Sequence, residues 1–424
     1  MNKKISRRSF IKASAATTGL FSIVPSFVLG GQNHTPPSEQ LTKAIIGVGG
    51  MGINHRGYND ARLLAVCDVD QNHLNKAANW RGQTVDKYRD FRELLERSDI
   101  DIIHIATPPH WHGIISIMAA QAGKDIWCEK PMTRTIAEGQ GVIDAVERHG
   151  RIFRINTWFR FGRSQRAFYG SGISVEDAKK IVTSGMLGWP LTFNVGKHTG
   201  FNWKMNWSGR ADLIPQDVPA ELDYNMWLGP APSKPYNKHR VHQTFRGYWD
   251  YDGGGLGDMG QHYLDPIQYI MGKDHTSPIL IASESIQQHY DAVGPWKRVE
   301  MTYADGCKII LDGEGRDENA PFISGPKGNI WRDMRSDIPD FKKKVAALPN
   351  PPRMEDDFAK CVRERRKFGL NEQNGHRSAT LVNLAKISLR LGRELNFDPK
   401  TQRFADDEGA NRLADQPMRT PWKV

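Results

Sequence analysis

Lys43-Ala44-Ile45-Ile46-Gly47-Val48-Gly49-Gly50-Met51-Gly52 is the stretch that decides the fold. A short apolar run suited to a buried parallel strand feeds directly into G-x-G-x-x-G. Glycine is needed there for the tight turn, for close approach of backbone to a pyrophosphate, and for helix-on-sheet packing. The helix that follows presents its N-terminus to the negative charge. A second strand, Leu63 to Cys67, ends at Asp68, sixteen residues after Gly52. An acid at that point accepts both ribose hydroxyls of NAD and repels the 2′-phosphate of NADP. NAD is therefore the expected cofactor.

Helical and strand-like segments alternate beyond this point. Asn72 to Trp80 and Phe91 to Arg97 read as helices, and Ile100 to Ala106 as a strand. Thr107-Pro108-Pro109-His110-Trp111-His112 breaks into a loop, Gly113 to Ala122 is helical, and Asp125 to Cys128 is another strand, followed by Glu129-Lys130-Pro131. Such alternation implies a doubly wound parallel sheet. Ligands then sit at the carboxyl ends of the strands, where the 107–112 loop and Glu129 to Pro131 fall.

Upstream, Ser6-Arg7-Arg8-Ser9-Phe10-Ile11-Lys12 fits a twin-arginine export signal. Residues 1–31 are set aside as that signal and 32–40 as a polar arm. Ala13 to Leu29 is too short and polar for a membrane span, and no later apolar run reaches about 18 residues. The formal charge is +10, but Lys3, Lys4, Arg7, Arg8 and Lys12 carry five of those charges and no acid lies among the first 30 residues. The remaining +5, spread over nearly 400 residues, gives little ground for nucleic-acid binding. The cysteines, Cys67, Cys128, Cys307 and Cys361, are too far apart for a zinc or redox motif.

The glycine loop, Asp68, the Thr107–His112 loop, Glu129-Lys130-Pro131 and the later Gly257-Asp258-Met259-Gly260-Gln261-His262-Tyr263-Leu264-Asp265 occur in fixed order. In this the chain resembles the Gfo/Idh/MocA oxidoreductases, from about residue 41 onward. The resemblance implies an α/β Rossmann domain over 41–157 and an α+β substrate domain over 158–350, built on a large, mostly antiparallel open sheet. Residues 351–424 are expected as helices and a tail that pack back on the first domain. Leu191 to Val195, Ile279 to Ile286, Trp296 to Tyr303 and Lys308 to Leu311 read as strands of that sheet, and Met354 to Arg366 and Ser378 to Leu395 as helices. Family precedent uses the open sheet face for assembly, which implies a dimer or tetramer.

With the resemblance, the cofactor-binding set is Gly47, Gly49, Gly50, Met51, Gly52, Asp68, Thr107, Pro108, His110, Trp111, His112, Glu129 and Lys130. His110 and His112 equally read as plain loop histidines. Oxidising a secondary alcohol needs a hydride acceptor close to the carbinol carbon and a base for the hydroxyl proton. Lys130, by resemblance, lies beside both nicotinamide and hydroxyl. Asp258 and His262, four apart, share a helix face. His262 is taken as proton acceptor, Lys130 as its polarising partner, and Asp258 as orienter, although Asp258 also fits a helix N-cap. No metal is expected.

Residues 189–251 carry Trp189, Trp203, Trp207, Trp227 and Trp249, with Lys197, His198 and Tyr248 among them. Aromatic faces beside polar groups suit a sugar ring, though these tryptophans equally read as core. Lys197, His198, Trp203, Tyr248, Asn156, Arg160, Asp258 and His262 form the expected substrate set. The reading is an exported enzyme with a tightly held, recycled NAD, acting on a secondary hydroxyl, such as C3, of a sugar or glycoside. Two alternatives share the fold: an NAD-dependent glycosidase using transient C3 oxidation, and a non-catalytic sugar-binding protein.

Overall fold

A computed structural model describes residues 40–80, 82–157, 159–161, 173–196, 208–314, 317 and 319–423. Residues 41–424 form one compact unit. The export signal expected at 1–31 and the candidates Lys197, His198 and Trp203 lie outside the described residues.

Six parallel strands make the first sheet: β1 (Thr42–Ile46), β2 (Arg62–Cys67), β3 (Asp86–Tyr88), β4 (Ile102–Ile105), β5 (Asp125–Glu129) and β6 (Phe153–Asn156). Their order is β3-β2-β1-β4-β5-β6. The order reverses between β1 and β4, and that crevice is where a dinucleotide lies in a doubly wound sheet. β1, β4 and β5 are buried along their whole length, as strands covered on both faces must be. β3 is short and polar, and its periodicity gave no signal.

Helix α1 (Gly52–His55) follows the glycine loop, and α2 (Gln71–Ala78) starts at Asp70, whose carboxylate accepts the Asn72 and His73 N–H groups. The expected 72–80 helix is shorter than its pattern, because Asn79–Trp80 turns into a small hairpin with Gln83–Thr84. Helix α3 (His112–Gln121) and helix α4 (Ile136–Arg148) cover the sheet.

The second sheet has eight strands: β7 (Thr192–Val195), β8 (Leu280–Ser285), β9 (Trp296–Thr302), β10 (Lys308–Asp312), β11 (Ile323–Gly325), β12 (Gly328–Ile330), β13 (Leu395–Asp398) and β14 (Arg403–Phe404). Their order is β12-β11-β7-β10-β9-β8-β13-β14, with β7 parallel to β10 and the other pairs antiparallel. One face buries apolar side chains such as Ile281, Val299, Met301 and Ile309. The other carries paired charges, among them Lys308 with Glu300 at 2.6 Å.

Two helices hold the site between the sheets. α5 (Gly254–Ile270) carries Asp258 and His262, and α6 (Glu372–Leu391) packs along it and against α4. Buried Gln261 locks the joint: its Oε1 accepts the Met132 N–H at 2.9 Å and its Nε2 donates to the Gly375 carbonyl and Ser378 Oγ. The sequence pattern placed α6 at 378–395. The helix instead begins at the Asn371 cap and stops at Gly392, whose φ of 64° ends it. Leu395 then opens β13. The helix expected over 354–366 spans only Phe358–Glu364, capped by Asp357.

Candidate active site

The glycine loop closes against itself. A Cβ on Gly52 would lie 1.7 Å from the Gly47 carbonyl oxygen, and one on Gly47, at φ +84°, would lie 2.7 Å from the Thr107 nitrogen. A Cβ on Gly50 would meet nothing within 4 Å. The loop is thus packed on its protein side and open on its cleft side.

A cavity of about 320 Å³ runs from this loop across the β1/β4 crevice. Gly47, Gly49, Gly50, Met51, Asp68, Thr107, Pro108, Trp111, Glu129, Lys130 and Asp258 line it. Gly52 supports it from behind. Asp68 accepts the Val48 N–H at 2.8 Å and the Asp70 N–H at 2.9 Å, which fixes its carboxylate at the cavity edge. Thr107 Oγ1 is buried there with no hydrogen-bond partner among the described residues. An open glycine cradle, a fixed carboxylate and an orphaned hydroxyl fit NAD. Asp68→Asn is expected to weaken NAD binding about tenfold through the lost charge-assisted bonds, and to narrow the preference over NADP. Titration of tryptophan fluorescence with each nucleotide checks it; unchanged affinities would remove Asp68 from the ribose site.

The second half of the chain completes this end of the cavity. Gln71 N–H donates to the Glu221 carbonyl, Asp223 N–H donates to Val69, and the His242 ring meets His73 edge-on at 4.8 Å. Asp70, His73 and His242 bring donor atoms within 4.8 Å of one another. The Asp68 carboxylate, 3.7 Å from His73 Nδ1, raises the His73 pKa.

At the other end, Lys130 Nζ lies 3.0 Å from Asp258 Oδ1 and donates to the Asp258 carbonyl at 2.7 Å. Arg246 Nε reaches the same Oδ1 at 2.9 Å. Burial alone would raise the Asp258 carboxyl, but the charges of Lys130 and Arg246 hold it well below the usual carboxylate range. Asp258 lies inside α5, whose N-cap is Gly253, so the capping alternative is excluded. The i, i+4 spacing does not carry His262 into the cavity lining with it. The His262 ring is buried, with Nδ1 2.9 Å from Thr157 Oγ1 and Phe159 stacked on it at 5.2 Å.

Several expected ligand residues have structural partners instead. His110 donates from Nε2 to the Trp227 carbonyl at 2.9 Å, as Trp111 Nε1 does at 3.1 Å. Burial lowers its pKa to about 3, so the ring is neutral. His112 spans the Thr107 and Pro131 carbonyls, 2.7 Å from each. Neither histidine lines the cavity; they pin the 107–112 loop to the helix at Tyr224–Leu228 and to the segment bearing Lys130. Arg160 is a correction of the same kind. Its guanidinium grips Asp265 at 2.7 and 2.8 Å and Asp274 at 2.6 and 2.8 Å, away from the cavity. Tyr248 is fully buried, its hydroxyl 2.8 Å from His239 Nδ1. Of the described tryptophans between 189 and 251, only Trp227 lines the cavity; Trp189 is 43% exposed and Trp249 is core.

Asn156 is also behind the wall. Its Nδ2 donates to Glu129 Oε1 at 2.5 Å, and the same oxygen lies 2.8 Å from His55 Nε2. His55 Nδ1 is 3.1 Å from His104 Nδ1, and His104 Nε2 is 2.8 Å from Asp60 Oδ2. Lys43 Nζ closes the row on Asp60 Oδ1 at 2.7 Å. Burial would raise the Glu129 pKa, yet the His55 bond and charge bring it to about 2.

Residues 41–157 match the NAD-binding Rossmann fold of the oxidoreductase family GFO_IDH_MocA, and residues 171–424 match that family's C-terminal alpha/beta domain. A glycosyl hydrolase family 109 protein of Shewanella baltica is 31% identical over 194 residues, covering 38% of this chain and 41% of its own length. The chain thus spans about two fifths of the curated relatives it matches. Among solved structures, the WlbA dehydrogenase of Bordetella pertussis, in complex with NADH and UDP-GlcNAcA, is 18% identical with a TM-score of 0.57, covering 85% of this chain and 98% of that one. The aldose-aldose oxidoreductase of Caulobacter crescentus is 19% identical with a TM-score of 0.53, covering 84% and 100%. With both halves matched and the cradle in place, the chain belongs to the Gfo/Idh/MocA family of oxidoreductases and uses NAD.

Proposed function

We propose that the chain is an exported enzyme that oxidises a secondary hydroxyl, such as C3, of a sugar or glycoside, and that its NAD stays bound between turnovers. The observation that carries this is the Lys130–Asp258–Arg246 cluster at the far end of the same cavity whose near end holds Asp68. When bound, NAD supplies the hydride acceptor. Lys130 has three N–H donors, and Asp258 engages two, leaving one for a substrate oxygen. Asp258, anchored by Arg246, fixes where that ammonium points. Trp227 and Met226 offer apolar contact on the same wall.

Export is supported by the twin-arginine sequence at 6–12, and a sugar substrate by the names of the relatives and fold neighbours. Family precedent would place a dimer or tetramer contact on the open sheet face.

A second reading has its own support in the glycosyl hydrolase relatives. There, oxidation at C3 acidifies the C2 proton, elimination expels the leaving group, and water addition and reduction complete a net hydrolysis.

The test begins with protein purified without added cofactor and dialysed. Mass spectrometry should find NAD(H) near stoichiometric with the chain, and methyl glycosides should raise the NADH absorbance band. Release of free methanol without net NADH selects the glycosidase. Protein that arrives empty and binds NAD only weakly would sink the retained-cofactor reading. Cell fractionation tests export separately.

A further inference from the structure

Five carboxyl-bearing residues line the cavity: Asp68, Asp70, Glu129, Asp252 and Asp258. Asp68 and Asp70 accept backbone N–H groups, Glu129 faces His55, and Asp258 faces Lys130 and Arg246. Asp252 differs. It is 1% exposed, and neither carboxyl oxygen has a hydrogen-bond partner among the described residues. Burying an ionised carboxylate without a donor is expensive, and a native structure that does so calls for a reason.

The placement of the group gives one. Asp252 directly precedes the glycines that open α5, and a Cβ on Gly257 would lie 2.3 Å from its Oδ1. The carboxyl therefore sits against the first turn of the helix that carries Asp258. Asp258 on α5, Arg246 before α5, Lys130 after β5 and Lys386 on α6 all act on it electrostatically. Arg134, Glu138 and Arg390 surround Lys386 in turn. Lys386 does not bond the carboxyl; its Nζ donates to the backbone carbonyls of Asp252 at 3.0 Å and Arg134 at 3.3 Å.

We propose that Asp252 is the group that exchanges the substrate's hydroxyl proton in this cleft. This rests on the oxidoreductase reading above. In oxidation, the hydroxyl O–H bond breaks and its electron pair forms the carbonyl. The proton goes to the Asp252 carboxylate, and the C–H pair leaves as hydride to oxidised NAD. In reduction, the protonated carboxyl returns its proton to the carbonyl oxygen as hydride arrives from NADH. The two acids of the cleft suit this division. Burial, then repulsion from Asp258, pushes Asp252 up, while Lys130 and Arg246 hold Asp258 down. Neighbouring carboxyls with separated pKa values divide acid and base roles between them. It also accounts for a cavity whose described lining lacks His262.

Infrared difference spectroscopy of the full chain across a pH titration reads the proton directly, with no substrate. The carbonyl-stretch band of a protonated carboxylic acid should fade through neutrality in the wild type and be missing from Asp252→Asn. Asp252→Ser serves if the amide does not fold. With methyl β-D-glucoside as probe, single-turnover reduction of bound NAD should fall about 100-fold in the variant and lose its pH dependence. Retained NAD, measured by mass spectrometry, should not change. No titrating band in the wild type, an equal band in the variant, or an unchanged rate would each overturn the assignment. A band that titrates and vanishes in the variant, with no wild-type response to the glucoside, would uphold Asp252 and discard that sugar.

Discussion

Lys130→Met is expected to lower single-turnover reduction of the bound cofactor about 1,000-fold, the upper end of the range for loss of a preorganised donor at a reacting oxygen. Methionine keeps the length and apolar stem of lysine, so the cavity wall should stand. What disappears is the ammonium that polarises the substrate oxygen and bonds Asp258 at 3.0 Å. Asp258, 7% exposed, would then keep Arg246 alone, and its carboxyl should rise toward the ordinary range. Residual turnover should accordingly become more sensitive to acid. Rates with the methyl glycoside that responds best, together with bound NAD by mass spectrometry, check this. An unchanged rate would remove Lys130 from the chemistry. Loss of the nucleotide itself would make Lys130 a cofactor ligand first.

Arg160→Met should do the opposite: damage the fold and spare the chemistry. Arg160 grips Asp265, which is fully buried, through two of its nitrogens. Removing one partner of a buried pair leaves an uncompensated charge, at about 3–5 kcal/mol. Asp274 is partly exposed and can be rehydrated. The sign with pH follows from the orphaned acid. Burial already raises Asp265, and the lost guanidinium would raise it further. A carboxyl whose folded pKa exceeds its unfolded one contributes full stability below the unfolded value and loses it as pH rises through the folded value. The variant should therefore be less destabilised in mild acid than at neutral pH. Urea unfolding at the two pH values measures it, and Asp265→Asn in the same background should restore part of the loss. If KM for the glycoside rises while the urea midpoint stays put, Arg160 belongs to the cleft after all.

These two residues show what a sequence can disclose. Lys130 follows a strand in a segment that also carries Pro131, and its neighbours along the chain announce it. Arg160 also follows a strand, and the same logic placed it in the cleft. The decisive fact was its partner Asp265, more than 100 residues away. That acid ends the Gly257–Asp265 run, so a buried counter-charge was visible there without an address. The first sheet, its short polar strand β3 apart, was legible because its strands, turns and glycine loop are local patterns. The cavity wall from the second half was less so. Trp227, Arg246 and Asp252 come from short helices and loops whose positions depend on tertiary packing. For Asp252 one sign existed: a charge set between Tyr251 and three glycines. His110 and His112 misled because a polar side chain in a ligand-facing loop can serve the loop's own carbonyls.

The row of side chains behind Glu129 is a run of matched charges. Glu129 meets His55, His55 meets His104 and His104 meets Asp60, with Lys43 closing on the other oxygen of Asp60. Tyr58 lies beside His55, and Arg154 lies over Trp127, where the charges of Asp60 and Glu129 both act on it. Two acids, Asp60 and Glu129, thus face two cations, Lys43 and Arg154. The interior beneath the nucleotide loop is an internal salt. Neutralising any one of its four members would tilt the electrostatic potential under Lys130 from the inside of the protein.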